Sequence, residues 1–321
     1  MAISSPIRFC MNTNRKHFLL LYFMLIISLS AVAQTEDDVS AGSARQTEKF
    51  ADDYTESLLS GKTAVLGEYF GDSSRLMPEY QLTVIGKENS LHYYQSFLAR
   101  FKVTAYKRKS VEILNLGKKI VELGTFELSL TVKSSQKNHI IKGKFFETWD
   151  RLPGGRLVLE AQAWNYSHNV EIVEQLRFSD VPATNVALLP HSPIANNVSF
   201  ELAALNGFKE RIISNHEPAL WADFFTGDAK YIYSNNPVIS GKKDIAVFLA
   251  EHCRHLPVFE KLDIRNDKIS HLGKFIIEYA SHIAVVRTET YSGVFTGKSI
   301  TIWRRETDGS LKIFREMAMY D

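Results

Sequence analysis

Cysteine is scarce in this sequence, whose 321 residues include only Cys10 and Cys253. Cys10 lies in an amino-terminal segment that has the features of a cleaved signal, so the mature chain would keep one cysteine. No intrachain disulfide could then form, even in an oxidising compartment. The fold must therefore be held by packed hydrophobic cores, for which the chain is long enough.

An excess of charge of either sign is also missing. The sequence has 38 lysines and arginines and 36 acidic residues. Removing Arg8, Arg15 and Lys16 of the amino-terminal segment leaves 35 basic residues. Such a chain offers no electrostatic basis for binding nucleic acid. Glycine-rich phosphate loops and nucleophile elbows are absent too, so we expect no cofactor.

The longest apolar run covers residues 18–29, near the amino terminus. It follows three basic residues and precedes Ala31-Val32-Ala33, a small-residue cleavage pattern. A basic start, a short apolar run and a small-residue site predict a signal peptide at residues 1–33. An uncleaved amino-terminal anchor is the alternative, although the run is short for a membrane span. We expect a secreted or periplasmic protein with no stable membrane span after cleavage.

The rest of the chain repeats itself at a spacing of about 155 residues, the difference between Gly86 and Gly241. Other matched pairs are Phe70 with Phe225, Lys87 with Lys242, Val103 with Val258, Glu122 with Glu278, Trp149 with Trp303, and Tyr166 with Tyr320. Conserved order and spacing indicate two tandem domains. We place the first at residues 41–170 and the second at residues 197–321. The proline-containing residues 171–196 are interpreted as a linker that lies against one domain.

The second copy is helical first and β-rich afterwards. Apolar spacing predicts a helix from Asn197 to Asn215, a short helix after Pro218, and a third after Gly241. Long β segments follow, broken at Gly273, near Gly293 and at Asp308-Gly309. The first copy obeys the same plan, with helices near residues 41–60, 63–70 and 87–101. The order predicts an α+β fold, with three helices on one face of an antiparallel sheet.

Four segments resemble the nuclear transport factor 2-like superfamily, specifically its SnoaL-like members. They are "EYFGDSSRLMPEYQLTVIGKENS" and "GKFFETWDRLPGGRLVLEAQAWN" in the first copy, and "FFTGDAKYIYSNNPVISGKKDI" and "GKSITIWRRETDGSLKIFREMAMYD" in the second. The resemblance covers nearly all of both copies. It implies two cone-shaped domains, each with a curved sheet and helices that enclose a ligand-sized pocket.

The family includes ketosteroid isomerase, polyketide cyclases, dehydratases and non-catalytic binding modules, so the fold leaves the function open. Our leading hypothesis is that the second domain binds a small, mostly apolar molecule without a reaction. An isomerase, cyclase or hydratase that uses a pocket carboxylate as general base is one alternative. A protein-interaction module whose pockets are filled by side chains is the other.

The alternation of the last strand assigns its residues to two faces. One face, with Leu311, Ile313, Arg315, Met317 and Met319, is expected to line the core and the pocket. The opposite face carries Phe314, Glu316, Ala318 and Tyr320, and its counterpart in the first copy includes Trp164 and Tyr166. Because exposed aromatic stripes commonly mark contact surfaces, we expect these faces to pack against each other as a pseudo-dimer within the chain. Further oligomerisation stays open.

Glu278, His282 and Glu316 of the second copy are the candidates for catalysis. Glu278 and His282 lie four residues apart on the same face of one strand, and His252 on the third helix could join them as a base and a donor. The first copy has Phe126 and Phe97 in place of the histidines, so only the second domain could act in this way. Glu316 occupies a position that is often acidic in SnoaL-like proteins. Over catalysis we favour two satisfied histidines in a polar patch for the first group, and solvation or an ion pair for Glu316.

The predicted ligand pocket contains aromatic and polar residues of the second copy. They are Trp221, Tyr231, Tyr233, His252, Glu278, His282, Trp303 and Arg315. The aromatic members suit stacking against a flat apolar ligand, although such residues are more often core. His252, Cys253 and His255 do not predict a metal site, because adjacent residues on a helix point in different directions.

Overall fold

The computed structural model of the chain describes residues 42–321. The predicted signal peptide, residues 1–33, and residue 41 of the predicted first domain lie outside the described residues. Residues Gln46–Asp321 form one compact unit, and the contacts described below lie within it. No helix among the described residues is long and apolar enough to cross a membrane.

The first domain consists of two helices, a 3-10 turn and six strands. The described part of helix α1 covers residues 42–60. It is followed by a 3-10 turn (Ala64–Glu68), β1 (Phe70–Pro78), β2 (Val84–Ile85), α2 (Lys87–Arg100), β3 (Phe101–Asn115), β4 (Lys119–Val132), β5 (Asn138–Arg151) and β6 (Leu157–Tyr166).

The second domain repeats this order with one more α-helix. Its elements are α3 (Asn197–Ser214), α4 (Pro218–Ala222), β7 (Phe225–Ile232), β8 (Ile239–Ser240), α5 (Lys242–Arg254), β9 (Val258–Leu272), β10 (Phe275–Arg287), β11 (Ser292–Arg305) and β12 (Leu311–Tyr320). The Asn196 side chain caps α3 in a reciprocal capping box with Ser199, and Pro218 starts α4 where no amide donor is needed.

Each domain has one six-stranded sheet. The strand orders are β2-β1-β6-β5-β4-β3 and β8-β7-β12-β11-β10-β9, so the two sheets share one topology. Neighbouring strands are antiparallel except for β1 with β6 and β7 with β12, which are parallel. The predicted α+β class with tandem sheets is confirmed, and the parallel pair in each sheet is an addition to the expected antiparallel arrangement.

The segment between the domains, residues 171–196, is packed rather than free. Leu176, Phe178 and Val181 are buried in the hydrophobic core of the first domain. Further along, the backbone nitrogen of Ser192 donates to the carbonyl oxygen of Asn266 in β9. The segment therefore contacts both domains, whereas the sequence favoured contact with one.

The two sheets pack face to face through a third hydrophobic cluster. Its first-domain members are Met77, Val121, Leu123, Phe146, Ala161 and Ala163, and its second-domain members include Ile277, Tyr279, Ile300, Ile302, Phe314 and Met317. Polar bonds border this cluster, among them Tyr279 Oη donating to Glu160 Oε2 at 2.6 Å. The chain thus holds the expected pseudo-dimer.

The prediction of which residues form that interface was mostly wrong. Phe314 belongs to the interface cluster, but Trp164 and Tyr166 line the inside of the first domain and Tyr320 lines the inside of the second. The cause is a bulge in each last strand, since Trp303 pairs with Ile313 and Ile302 pairs with Arg315, leaving Phe314 as an extra residue. One extra residue inverts the alternation of every residue after it.

Two equivalent lysines bind backbone at the interface. Lys144 Nζ donates to the carbonyl oxygens of Tyr166 at 2.7 Å, Tyr233 at 3.0 Å and Asn236 at 2.5 Å. Lys298, its match in the repeat, donates to the carbonyl of Gln81 and to Asp321 Oδ1, both at 2.5 Å. Each lysine thus bonds to backbone carbonyls in the loop after the first strand of the other domain.

Candidate functional site

The second domain encloses a pocket of about 230 Å³ between the inner face of its sheet and its helices. Apolar side chains from α3, β9, β10 and β12 form most of the wall, including Ile213, Leu262, Ile264, Ala284, Val286 and Met319. Five residues predicted for the pocket also line it: Trp221, Tyr231, Tyr233, His252 and His282. We call this cavity the second-domain pocket.

The equivalent cavity of the first domain is only about 40 Å³. Aromatic rings occupy its space, among them Tyr54, Tyr94, Phe97, Phe126 and Trp164. Phe97 and Phe126 line this cavity, and the matching residues His252 and His282 line the larger one. The filled cavity thus has phenylalanines where the open cavity has histidines. Of these two equivalent cavities, only that of the second domain is large enough for a ligand.

An ion pair lies at the polar end of the second-domain pocket. Lys209 Nζ on α3 donates to Glu316 Oε1 on β12 at 3.1 Å, and both side chains line the pocket while less than a tenth exposed. Glu316 points inward because the bulge at Phe314 moves the side chains that follow it to the opposite face of the strand. The predicted outward position of Glu316 was wrong.

Lys209 was missed by the sequence reasoning, although a signal was present. Leu202, Asn206, Lys209 and Ile213 follow one stripe of α3 at helical spacing and are all buried. A lysine in such a stripe is expected to meet a buried carboxylate. The first copy has Tyr54 at the matching position, 155 residues earlier. The lysine therefore occurs only in the copy that has the open cavity.

Glu278 lies behind the pocket wall and does not line it. Asn206 Nδ2 donates to its Oε1 at 2.7 Å, and Trp303 Nε1 donates to its Oε2 at 2.6 Å. Burial raises the pKa of this carboxyl, while Lys209, Asn206 and Trp303 oppose the rise. Glu278 therefore does not converge with His252 and His282 on the cavity, and its bonds are those of a satisfied core carboxylate.

Two further residues predicted for the pocket lie elsewhere. Trp303 is fully buried beneath the wall, where its indole holds Glu278. Arg315 points to the other sheet and binds Glu112 of the first domain, because it lies after the extra residue of the bulge. Both assignments to the pocket were wrong, the second for the same reason as that of Glu316.

The two pocket histidines are in different settings. Burial lowers the pKa of His282 to about 4; Lys209 and Lys298 act in the same direction, and Asp321 opposes them. His252 stacks on Phe248 with ring centres 5.4 Å apart, and burial lowers its pKa as well. Both rings are therefore neutral near pH 7, when they can donate or accept a hydrogen bond but carry no charge.

The first domain has its own buried ion pair, built from different strands. Arg108 on β3 binds both oxygens of Glu147 on β5, at 3.0 and 2.9 Å, and Gln162 on β6 donates to the same carboxylate. In the second domain the carboxylate comes from the last strand, at the position that matches Gln162, and the cation comes from a helix. The two domains thus share a fold but not a polar centre.

No group of three or more histidine, cysteine or acidic side chains in residues 42–321 could hold a metal ion. On α5 and just after it, His252 faces the pocket, Cys253 is buried in the core, and His255 is exposed and bonds Glu251 at 3.0 Å. These three side chains do not converge.

Each domain has the fold that the sequence resemblance implies, with a sheet and helices that surround a central cavity. No protein-family model and no curated protein matches the sequence. Solved structures do resemble parts of it. A nuclear transport factor 2-like protein with a cystatin-like fold from Novosphingobium aromaticivorans is 10% identical, with 40% of this chain and 92% of that chain covered and a TM-score of 0.31.

Two more solved structures are similar to the same extent. A ketosteroid isomerase-like protein from Erwinia carotovora atroseptica is 11% identical over 37% of this chain and 92% of its own, with a TM-score of 0.33. A domain of unknown function with a cystatin-like fold from Nostoc punctiforme is 11% identical over 40% of this chain and 80% of its own, with a TM-score of 0.34. Such likeness carries no argument about activity, so the function is argued from the pocket.

Proposed function

We propose that this protein binds a small, mostly apolar molecule in the second-domain pocket. The observation that carries the proposal is the contrast between a cavity of about 230 Å³ in the second domain and one of about 40 Å³ in the first. A dry apolar cavity of about 150 Å³ is large enough to bind benzene. The second-domain pocket therefore has room for a molecule of about two fused rings.

The wall chemistry supports the same proposal. Aliphatic side chains cover most of the surface, and Trp221, Tyr231 and Tyr233 add flat aromatic faces. Ligand sites typically combine such a wall with a few polar groups that fix orientation. A protein-interaction module with filled cavities fits the first domain but not the second.

The test has two parts. Mass spectrometry of small molecules released from the purified protein should detect an apolar compound bound in stoichiometric amount. Ala284→Phe, which places a ring in the pocket, should remove that compound and the binding of an apolar fluorescent dye. Val247→Phe, at an exposed position of α5, is the matched control and should retain both. Unchanged dye binding in Ala284→Phe would contradict the proposal.

A second candidate function is proton abstraction next to a carbonyl, with Glu316 as general base. It is favoured by one observation: this carboxylate lines the pocket, and only its Oε1 accepts a hydrogen bond from a described residue. Glu278, the other candidate base, has both oxygens occupied and lies outside the cavity. The role therefore passes to Glu316.

Deuterium exchange tests this second function. The α-protons of 1-tetralone, incubated with the protein in heavy water, should exchange faster than in buffer. Glu316→Gln should lower the exchange rate by about a hundredfold or more if the carboxylate is the base. Glu122→Gln, the repeat-equivalent of the excluded Glu278 position in the other domain, is the control. Exchange that is equal with and without protein leaves binding alone as the function.

We also propose that the protein is exported. The proposal is supported by the basic residues, the apolar run and the Ala31-Val32-Ala33 pattern at its amino terminus. Intact-mass analysis of the protein recovered from its native cell should give a chain that begins at Gln34. A chain that keeps residues 1–33 would contradict cleavage and favour the anchor.

A further inference from the structure

Lys209 has hydrogen-bonding capacity that the protein does not use. Its ammonium group carries three donors, and among the described residues only Glu316 Oε1 accepts from it. Lys209 is 6% exposed and lines the pocket, so the remaining donors are cut off from bulk water and face the cavity or its wall. A buried donor without an acceptor is unfavourable, which favours a ligand that supplies one.

Lys298, the other lysine that lines the pocket, uses more of its donors than Lys209 does. Lys298 is fully buried and donates to the carbonyl oxygen of Gln81 and to Asp321. Trp221 adds a weaker, neutral donor, because its buried Nε1 has no partner among the described residues. Two residues that line the pocket, Lys209 and Trp221, therefore keep donors that no described residue accepts.

The charges around the pocket are balanced in pairs. Lys209 lies against Glu316 and Lys298 against Asp321, while burial keeps His252 and His282 neutral near pH 7. A ligand carboxylate would approach Glu316, and a ligand ammonium would approach Lys209 and Lys298. A carboxylate could accept from Lys209 but would meet the charge of Glu316, and an ammonium could bond Glu316 but would meet the charges of both lysines, so an uncharged ligand is favoured.

We propose that Lys209 determines the specificity of the second-domain pocket by donating a hydrogen bond to an acceptor oxygen on an uncharged, mostly apolar ligand. A ketone, ester or ether oxygen would serve. The inference rests on the proposed binding function and adds the chemical class of the ligand. The apolar wall contacts the body of the molecule, and the ammonium group binds the end that carries the acceptor oxygen.

A matched set of three probes tests the inference on the protein that begins at Gln34. Tetralin, 1-tetralone and tetralin-1-carboxylate share one ring system and differ by a carbonyl oxygen or a carboxylate. Dissociation constants are measured by displacement of an apolar fluorescent dye. We expect 1-tetralone to bind about tenfold more tightly than tetralin, and the carboxylate to bind more weakly than the ketone.

Variants then assign the difference to Lys209. Lys209→Met should bring the two dissociation constants within about twofold of each other, since the charged donor is lost. Because this variant leaves Glu316 buried without its cation, Lys209→Met/Glu316→Gln is measured beside it. Arg211→Met, an exposed residue on the same helix, is the control and should keep the tenfold preference.

The outcomes separate the two proposals. If no probe binds the natural protein, the proposed binding function itself fails. If tetralin and 1-tetralone bind equally well, apolar binding stands and the role of Lys209 is overturned. Tightest binding by the carboxylate would overturn the selection of an uncharged ligand, and a tenfold preference that survives in both Lys209 variants would assign the acceptor to another donor.

Discussion

Arg315 of the second domain binds the carboxylate of Glu112 in the first through two parallel hydrogen bonds, Nε to Oε2 at 2.8 Å and Nη2 to Oε1 at 2.6 Å. The guanidinium group also lies 3.6 Å from the centre of the Phe314 ring. Arg315→Met should lower the free energy of unfolding by about 3 kcal/mol, because Lys230 is then the one partner of the carboxylate left among residues 42–321. Urea unfolding measures the loss.

Two further variants make this prediction specific to the interface. Arg315→Met/Glu112→Gln should be more stable than the single variant, since no carboxylate is left beside the missing cation. Arg254→Met, in an exposed pair with Glu251 on α5, should change the stability by less than about 1 kcal/mol. Equal losses in the buried and the exposed variant would show that the inter-domain pair is not stabilising.

His282 should make the protein less stable in mild acid. Its pKa is about 4 in the folded chain against an ordinary value of 6.5, so the unfolded chain takes up a proton at a higher pH than the folded one. The stability from the neutral ring is complete above pH 6.5 and is lost as the pH falls towards 4. The total loss is roughly 3 kcal/mol.

His282→Phe removes this titration and restores the residue type that the first copy has at Phe126. Urea midpoints of the natural protein and of the variant, compared from neutral pH down to about pH 4, should diverge, with the variant losing less. Because the paired carboxylates titrate in both proteins, their contribution cancels in the comparison. Parallel pH profiles would refute the prediction.

Gly297 provides the space that the ring of His282 occupies. A Cβ atom at this position would lie 2.4 Å from His282 Cε1 and 2.7 Å from the carbonyl oxygen of Met319. Gly297→Ala should therefore cost about 2 kcal/mol, because the backbone oxygen cannot move as a side chain can. Gly227→Ala in β7, where nothing lies within 4 Å, is the matched control and should be nearly neutral in thermal unfolding.

Lys144 should be essential for joining the domains. Lys144→Met leaves the carbonyl oxygens of Tyr166, Tyr233 and Asn236 without this charged donor and should cost about 3 kcal/mol in urea unfolding. Lys137→Met, at an exposed position between β4 and β5, should have no measurable effect. A similar midpoint for both variants would mean that water replaces the ammonium group.

Much of the fold could be predicted because its signals are local. The helix from Asn197, the proline start at Pro218 and the glycine before α5 all lie at the expected places. Helical periodicity and capping depend on residues three or four positions apart, which the sequence displays directly. The doubled architecture was visible for the same reason, as two copies of one local pattern.

The site was predicted less well, because its residues meet through long-range packing. Trp221, Tyr231 and Tyr233, which we expected in the pocket from their aromatic character, line the cavity. Lys209 and Glu316 were not paired, since 107 positions separate them along the chain. Nothing local to either residue names the other as its partner.

The sequence by itself determined that the chain is a tandem of two α+β domains, and that histidines replace phenylalanines at two matched positions in the second. Only the tertiary structure decided which face of β12 looks into the pocket. Both faces of that strand are buried, one by helices and one by the opposite sheet, so hydrophobicity could not distinguish them. The extra residue at Phe314 reversed the faces, and a bulge of one residue depends on how a neighbouring strand pairs.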